Sequence, residues 1–146
     1  MEVSSVNNDY SSGMRRLGAF IVDRIALHMF FSLLIWRWWN PFDYDYDIIH
    51  WGWHIWGFNV IRETINIIYY SLMESSRYQG TLGKIAMGIK VVDHNNQRLE
   101  FPRALLRNLS KILSGFLLGL GYIMIIFDDR KQGLHDKIAD TLVVNQ

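Results

Sequence analysis

Apolar positions along this chain run in long blocks, with the polar residues gathered between them. Residues 17–39, "LGAFIVDRIALHMFFSLLIWRWW", form the first block. As a helix it would be about 34 Å long, enough to cross a bilayer. Residues 51–73 form the second block, and residues 103–127 a third that is interrupted by Gly115, Gly119 and Gly121. Between them, "IKVVDHNNQRLEF" alternates around His94, Asn95 and Asn96, which predicts a short β-hairpin. The expected fold is an all-α membrane protein: two transmembrane helices, a third, Gly-broken membrane segment, and a small cytoplasmic β-hairpin. A single domain, residues 15–146, follows a flexible polar N-terminus, residues 1–14. That N-terminus does not read as a signal peptide, because the apolar block behind it is too long and lacks a small-residue cleavage site.

Composition agrees with the blocks. Half of the 146 residues are apolar and 14% are aromatic, with six Trp, and their bunching favours an integral membrane protein. A formal charge of +1 argues against a nucleic-acid binder, which would need a global excess of Lys and Arg. There is no Cys, hence no thiolate metal site and no thiol nucleophile. No cofactor is expected.

Flanking residues give an orientation. Arg15 and Arg16 place the N-terminus in the cytoplasm by the positive-inside rule. Trp36, Trp38 and Trp39 form an aromatic belt at the far end, with Arg37 able to snorkel outward. "NPFDYDYDIIHWGWH" then reads as an external loop. In "PRALLRNLSKILSG", Arg103, Arg107, Lys111 and Ser114 share one helix face and Leu105, Leu106, Leu109, Ile112 and Leu113 the other. Two readings of the third segment stand. One continuous span would put "DDRKQGLHDK" outside, whereas a broken pair would keep it in the cytoplasm, as Arg130, Lys131 and Lys137 favour.

Charges inside the apolar blocks carry the functional question. Asp23 lies about 9 Å into the first span, where a charge is costly and needs a partner or water. Arg24 points sideways from it, so a cation on another helix is the better partner, with Arg107 the leading candidate. In the second span Asn59, Arg62, Glu63 and Asn66 make one polar stripe. Such a stripe either joins helices through hydrogen bonds or lines a path for ions or protons. The candidate path is Asp23, Arg62, Glu63 and Asn66. Lys84, Lys90, Arg103 and Lys111, together with Arg107, fall on the cytoplasmic side, where they can meet anionic lipid headgroups.

Other constellations carry less. His50 and His54 stand one helical turn apart behind Asp43, Asp45 and Asp47, a spacing that can bind a cation such as zinc. Decoration of the outer interface explains the pair as well, and no metal site is assigned. "QGTLGKIAMGIK" lacks the spacing of a phosphate loop and reads as a compact turn at the membrane surface. "LHDKIAD" brings His135 and Asp136 together with no nucleophile. No enzyme pattern is visible.

"RRLGAFIVDRI", "QGTLGKIAMGIKVVD", "FPRALLRNL" and "FDDRKQGLHDKIADTLVV", in that order, resemble the RDD family of small prokaryotic membrane proteins. The likeness runs from Arg15 to Val144, the external loop excepted. The arginine and two aspartates that name the family correspond to Arg16, with Arg15 beside it, Asp23 and Asp136. Glu74, Gly80, Thr81, Gly83, Lys84, Arg103, Arg107, Asp128, His135 and Asp140 also fit its pattern, whereas Arg62 and Glu63 do not. The resemblance implies a multi-pass protein of the bacterial cytoplasmic (inner) membrane, with a transport-related role such as monovalent cation/proton exchange. Arg16, Asp23, Arg107 and Asp136 are expected to form a charged cluster at the cytoplasmic end. So few spans cannot enclose a path alone, so exchange requires a homo-oligomer or another membrane protein. The alternative is a non-catalytic scaffold presenting a basic face to lipid or a partner.

Overall fold

The computed structural model describes residues 9–38, 48–116 and 120–146, with residues 35–38, 48–55, 115–116 and 120 described by backbone alone. The elements run α1 (Gly13–Trp38), α2 (Ile48–Ser75), α3 (Leu82–Ala86), β1 (Ile89–Asp93), α4 (Phe101–Phe116), α5 (Leu120–Phe127), α6 (Leu134–Ile138) and β2 (Thr141–Asn145). Helix α1 starts earlier than its apolar block because Ser12 caps it, its hydroxyl accepting from the Arg15 N–H at 3.4 Å. Within it, Gly13–Leu34 has a mean hydropathy of 1.7 and is long and apolar enough to cross a membrane. The polar stripe of α2 lowers its hydropathy, although its 28 residues give ample length.

The predicted hairpin does not form. Strand β1 pairs antiparallel with β2, Ile89 opposite Asn145 and Asp93 opposite Thr141. The turn itself is present, with the Asp93 carboxylate accepting from the N–H groups of Asn95 and Gln97 at 2.8 and 2.7 Å. Beyond it, however, α4 begins at Phe101 and leaves no room for a return strand. "TLVVN", at the far end of the chain, supplies the apolar partner instead. One side of this sheet joins Ile89, Val91 and Val143 to Leu99, Ala104 and Ala19 of α1. The other side packs Val92, Leu142 and Val144 under Tyr10.

The last residues before α1 are held against this sheet. Tyr10 bridges to Val144, and the Ser11 N–H donates to the Val143 carbonyl at 3.0 Å.

Two short helices seat the sheet against the long ones. Helix α3 packs on α1, and α4 packs on α2 and α6. At the α1–α3 contact a side-chain carbon on Gly83 would lie 2.1 Å from the Ala19 carbonyl oxygen, so only glycine permits the approach. The Gly-broken segment divides into α4 and α5. Ser114 packs directly against Gly121, where an added carbon would meet its hydroxyl at 2.7 Å.

Burial along α4 is the reverse of that in a soluble protein. Arg107, Asn108, Ser110 and Ser114 are buried, while Leu106, Leu109, Ile112 and Leu113 are exposed. Large exposed apolar residues also run along α1, α2 and α5.

Candidate functional site: a buried ion-pair network

Glu74, at the last turn of α2, is the hub. Its carboxylate meets the Arg107 Nη1 at 2.8 Å, the Lys84 ammonium, and the Lys111 Nζ at 3.7 Å. The Asn108 amide donates to it at 3.0 Å, and Glu74 has no solvent exposure. The Arg107 guanidinium then reaches across to Asp136 of α6, its Nε donating at 2.8 Å. Arg16 of α1 donates to the other Asp136 oxygen at 2.9 Å, and the Gly133 N–H donates to that same oxygen at 3.0 Å. Five helices, α1, α2, α3, α4 and α6, therefore converge on two carboxylates. Such a network holds only because each charge is both paired and hydrogen-bonded; a buried charge lacking either would be strongly destabilising.

Burial and neighbouring charge set the ionisation here. Asp136 is held well below the usual carboxylate range: burial opposes ionisation, but the guanidinium groups of Arg107 and Arg16 and the Gly133 N–H outweigh it. Burial is also the main cause that lowers His135 to about 3, so its imidazole is neutral against the Tyr122 ring, 5.3 Å away. Lys84 falls to about 7, chiefly by burial and then by Arg107 and Lys111 beside it, against the attraction of Glu74.

Asp23 is not part of this network, and the expected Asp23–Arg107 pair is absent. Both Asp23 oxygens serve α3 instead: one accepts from the Gly83 N–H at 2.7 Å, the other from the Thr81 hydroxyl. Thr81 caps α3, so the carboxylate of α1 satisfies donors at the start of a helix that carries no acid of its own in the first turn. Arg107 already has two acidic partners, which leaves Asp23 to the polar groups nearest it.

Two further expectations change. Lys84 and Lys111 turn inward to Glu74, and Lys111 also lies 5.2 Å from the Tyr70 ring centre, so neither faces lipid headgroups. Arg103 is exposed, and Lys90 is half-buried on β1. The polar stripe of α2 does come together, with Glu63 accepting from Arg62 at 3.2 Å and Asn66 at 3.3 Å. Arg24 of α1 joins it at 3.3 Å, while Asp23 does not. Between α1 and α2 lies a groove of about 350 Å³ lined by Arg24, His28, Arg62 and Asn66 among apolar residues. The side chains of the aromatic belt, residues 40–47 of the acidic external loop, and the side chains of His50 and His54 lie outside the described residues.

The model of the RDD family matches residues 10–140. The chain belongs to the RDD family. Among curated relatives, the "Uncharacterized protein YxaI" of Bacillus subtilis (strain 168) is 42% identical over 85 residues, 58% of this chain and 56% of the relative. The "Uncharacterized membrane protein YteJ" of the same organism is 30% identical over 92 residues, 61% of this chain and 54% of the relative. Thus the matched regions span little more than half the length of either relative. No solved structure matches. RDD membership, and the printed name of the second relative, support a membrane protein. The inverted burial of α4 then has a physical reason, since in a membrane apolar faces turn outward and ionisable groups turn in. Sequence reasoning reached Arg16, Arg107 and Asp136 but missed Glu74 as the hub, along with Asn108. The signal for both was their place on the polar side of helix ends flanking apolar blocks.

Proposed function

We propose that this RDD protein is a non-enzymatic, multi-pass protein of the bacterial cytoplasmic membrane, its N-terminus cytoplasmic, that exchanges a monovalent cation for protons as an oligomer or with a partner. The observation that carries the reading is Glu63, a half-exposed carboxylate on α2 that pairs with Arg24 of α1 at 3.3 Å and is bonded to Arg62 and Asn66, three residues that line the groove between the two long helices. Ionisable groups within membrane helices face protein or water-filled cavities and mark ion paths. Asp23 gives up the carrier role, since both of its oxygens are engaged by α3. The test is proton flux driven by a cation gradient in proteoliposomes containing only this chain. Flux that Glu63→Gln abolishes and Asp23→Asn preserves supports the reading; no flux from the unaltered chain, alone or in vesicles made from its native membrane, overturns it.

A second reading, a scaffold or accessory protein without transport, is favoured by the arginines on either side of Glu63. They make it a paired group rather than a free carrier. Under this reading the inward turn of Lys84 and Lys111 shrinks the basic face to Arg103, Lys90 and the arginines of the connecting segments. Stable, flux-free protein that retains a bound partner on purification would select it.

A further inference from the structure

We infer that α4 and α5 form a hairpin lying in one leaflet, the one nearest the start of α1, with its outer face against lipid acyl chains, and that it does not cross the membrane. The inference rests on the membrane reading and is independent of transport. Its first support is what the chain meets on either side of the hairpin. Arg107, in the second turn of α4, is bonded to Asp136 of α6, the helix that follows α5, and Arg107 also binds Glu74 at the end of α2. Arg16 at the start of α1 binds the same Asp136. Ile125 of α5 lies 3.7 Å from where a side-chain carbon on Gly13 would be. The chain thus leaves and returns to one side.

Reach gives the second support. From Arg107 to Phe116, α4 rises about 14 Å, and all of α5 rises about 11 Å. A crossing needs about 30 Å of hydrocarbon, so neither arm spans it even if it stands upright. The Ser114–Gly121 contact shows that the arms fold back on each other rather than continue end to end.

The occupant of the outer face follows from its chemistry. Leu106, Leu109, Ile112, Leu113, Ile123 and Ile126 are exposed, while the polar side of α4 is buried in the ion-pair network. This face is continuous in character with the exposed apolar residues of α1, which a membrane covers. Arg103 and Arg130, exposed at the margins of the two helices, complement anionic headgroups. An apolar face with cations at its edge suits the interface of an anionic bilayer.

The native chain has no Cys, so single cysteines report cleanly. In sealed cells, a membrane-impermeant maleimide should label neither Asn95→Cys nor Asp129→Cys, and permeabilisation should expose both. Nitroxides on Leu109→Cys and Ile123→Cys in anionic vesicles should be relaxed by oxygen far more than by an aqueous nickel chelate. Their depth should fall within one leaflet. Labelling of Asn95→Cys and Asp129→Cys from opposite sides would restore a third span and overturn the inference. So would nitroxides open to the aqueous chelate, or spin–spin coupling between copies showing that protein covers the face.

Discussion

Arg107 and Asp136 meet at 2.8 Å with almost no solvent exposure, joining α4 to α6, the helix that follows the α4–α5 hairpin. The same guanidinium binds Glu74, so one side chain ties α2, α4 and α6 together.

Loss of this residue should therefore be severe. Arg107→Met takes from Glu74 and Asp136 the cation they share, leaving Glu74 to the lysines and Asp136 to Arg16, and removing one partner of a buried pair costs roughly 3 to 5 kcal/mol. Arg107→Lys should recover only part of that, because an ammonium cannot fork to two acids. Thermal unfolding in detergent should rank the native chain, the Lys variant and the Met variant in that order.

Asp23 should behave as a cap. Asp23→Ala leaves the Gly83 N–H and the Thr81 hydroxyl without their acceptor, a loss of about 1 to 3 kcal/mol. A double-mutant cycle should couple Asp23 to Thr81 and leave Asp23 and Arg107 nearly additive. Strong Asp23–Arg107 coupling would contradict the geometry.

Gly83→Ala tests the α1–α3 approach. The added methyl would sit 2.1 Å from a main-chain oxygen of Ala19, so α3 must shift, at a cost of about 1 to 3 kcal/mol or more. Because the obstacle is backbone, adding Ala19→Gly should not rescue the variant. Recovery of native melting in the double variant would count against the contact.

Acid sensitivity should have a histidine component. His135 is lowered to about 3 in the fold, chiefly by burial, from an ordinary value of 6.5. Between those values the unfolded chain binds the extra proton, so stability falls as pH drops below about 6.5 and goes on falling towards about 3. Above pH 6.5 the imidazole is neutral in both states and contributes no slope. Replacing His135 by Gln should flatten the upper part of this window, between about pH 6.5 and 4.5. Below that, the depressed Asp136 adds its own loss, in the variant as in the native chain. Identical pH profiles for the two proteins above pH 5 would exclude a role for His135.

The sequence by itself determined the long helices, the break in the third apolar segment and the identity of the charges that matter. Block hydrophobicity and glycine placement are local properties, read directly from neighbouring residues. It also separated the two faces of α4, since helical spacing alone sorts Arg107 from Leu106 and Leu109. Tertiary structure decided what those features meet. β1 chose a strand some fifty residues away, "TLVVN", over its own hairpin partner, because the start of α4 at Phe101 consumed the return segment. Asp23 went to α3 and Arg107 to Glu74 and Asp136, although charge type alone fitted an Asp23–Arg107 pair equally well. Opposite charges attract without regard to sequence position. Which of them pair is fixed by the close approach at Gly83 and by the turn that returns α5 to the start of α1, and neither distance is encoded in any single stretch of chain.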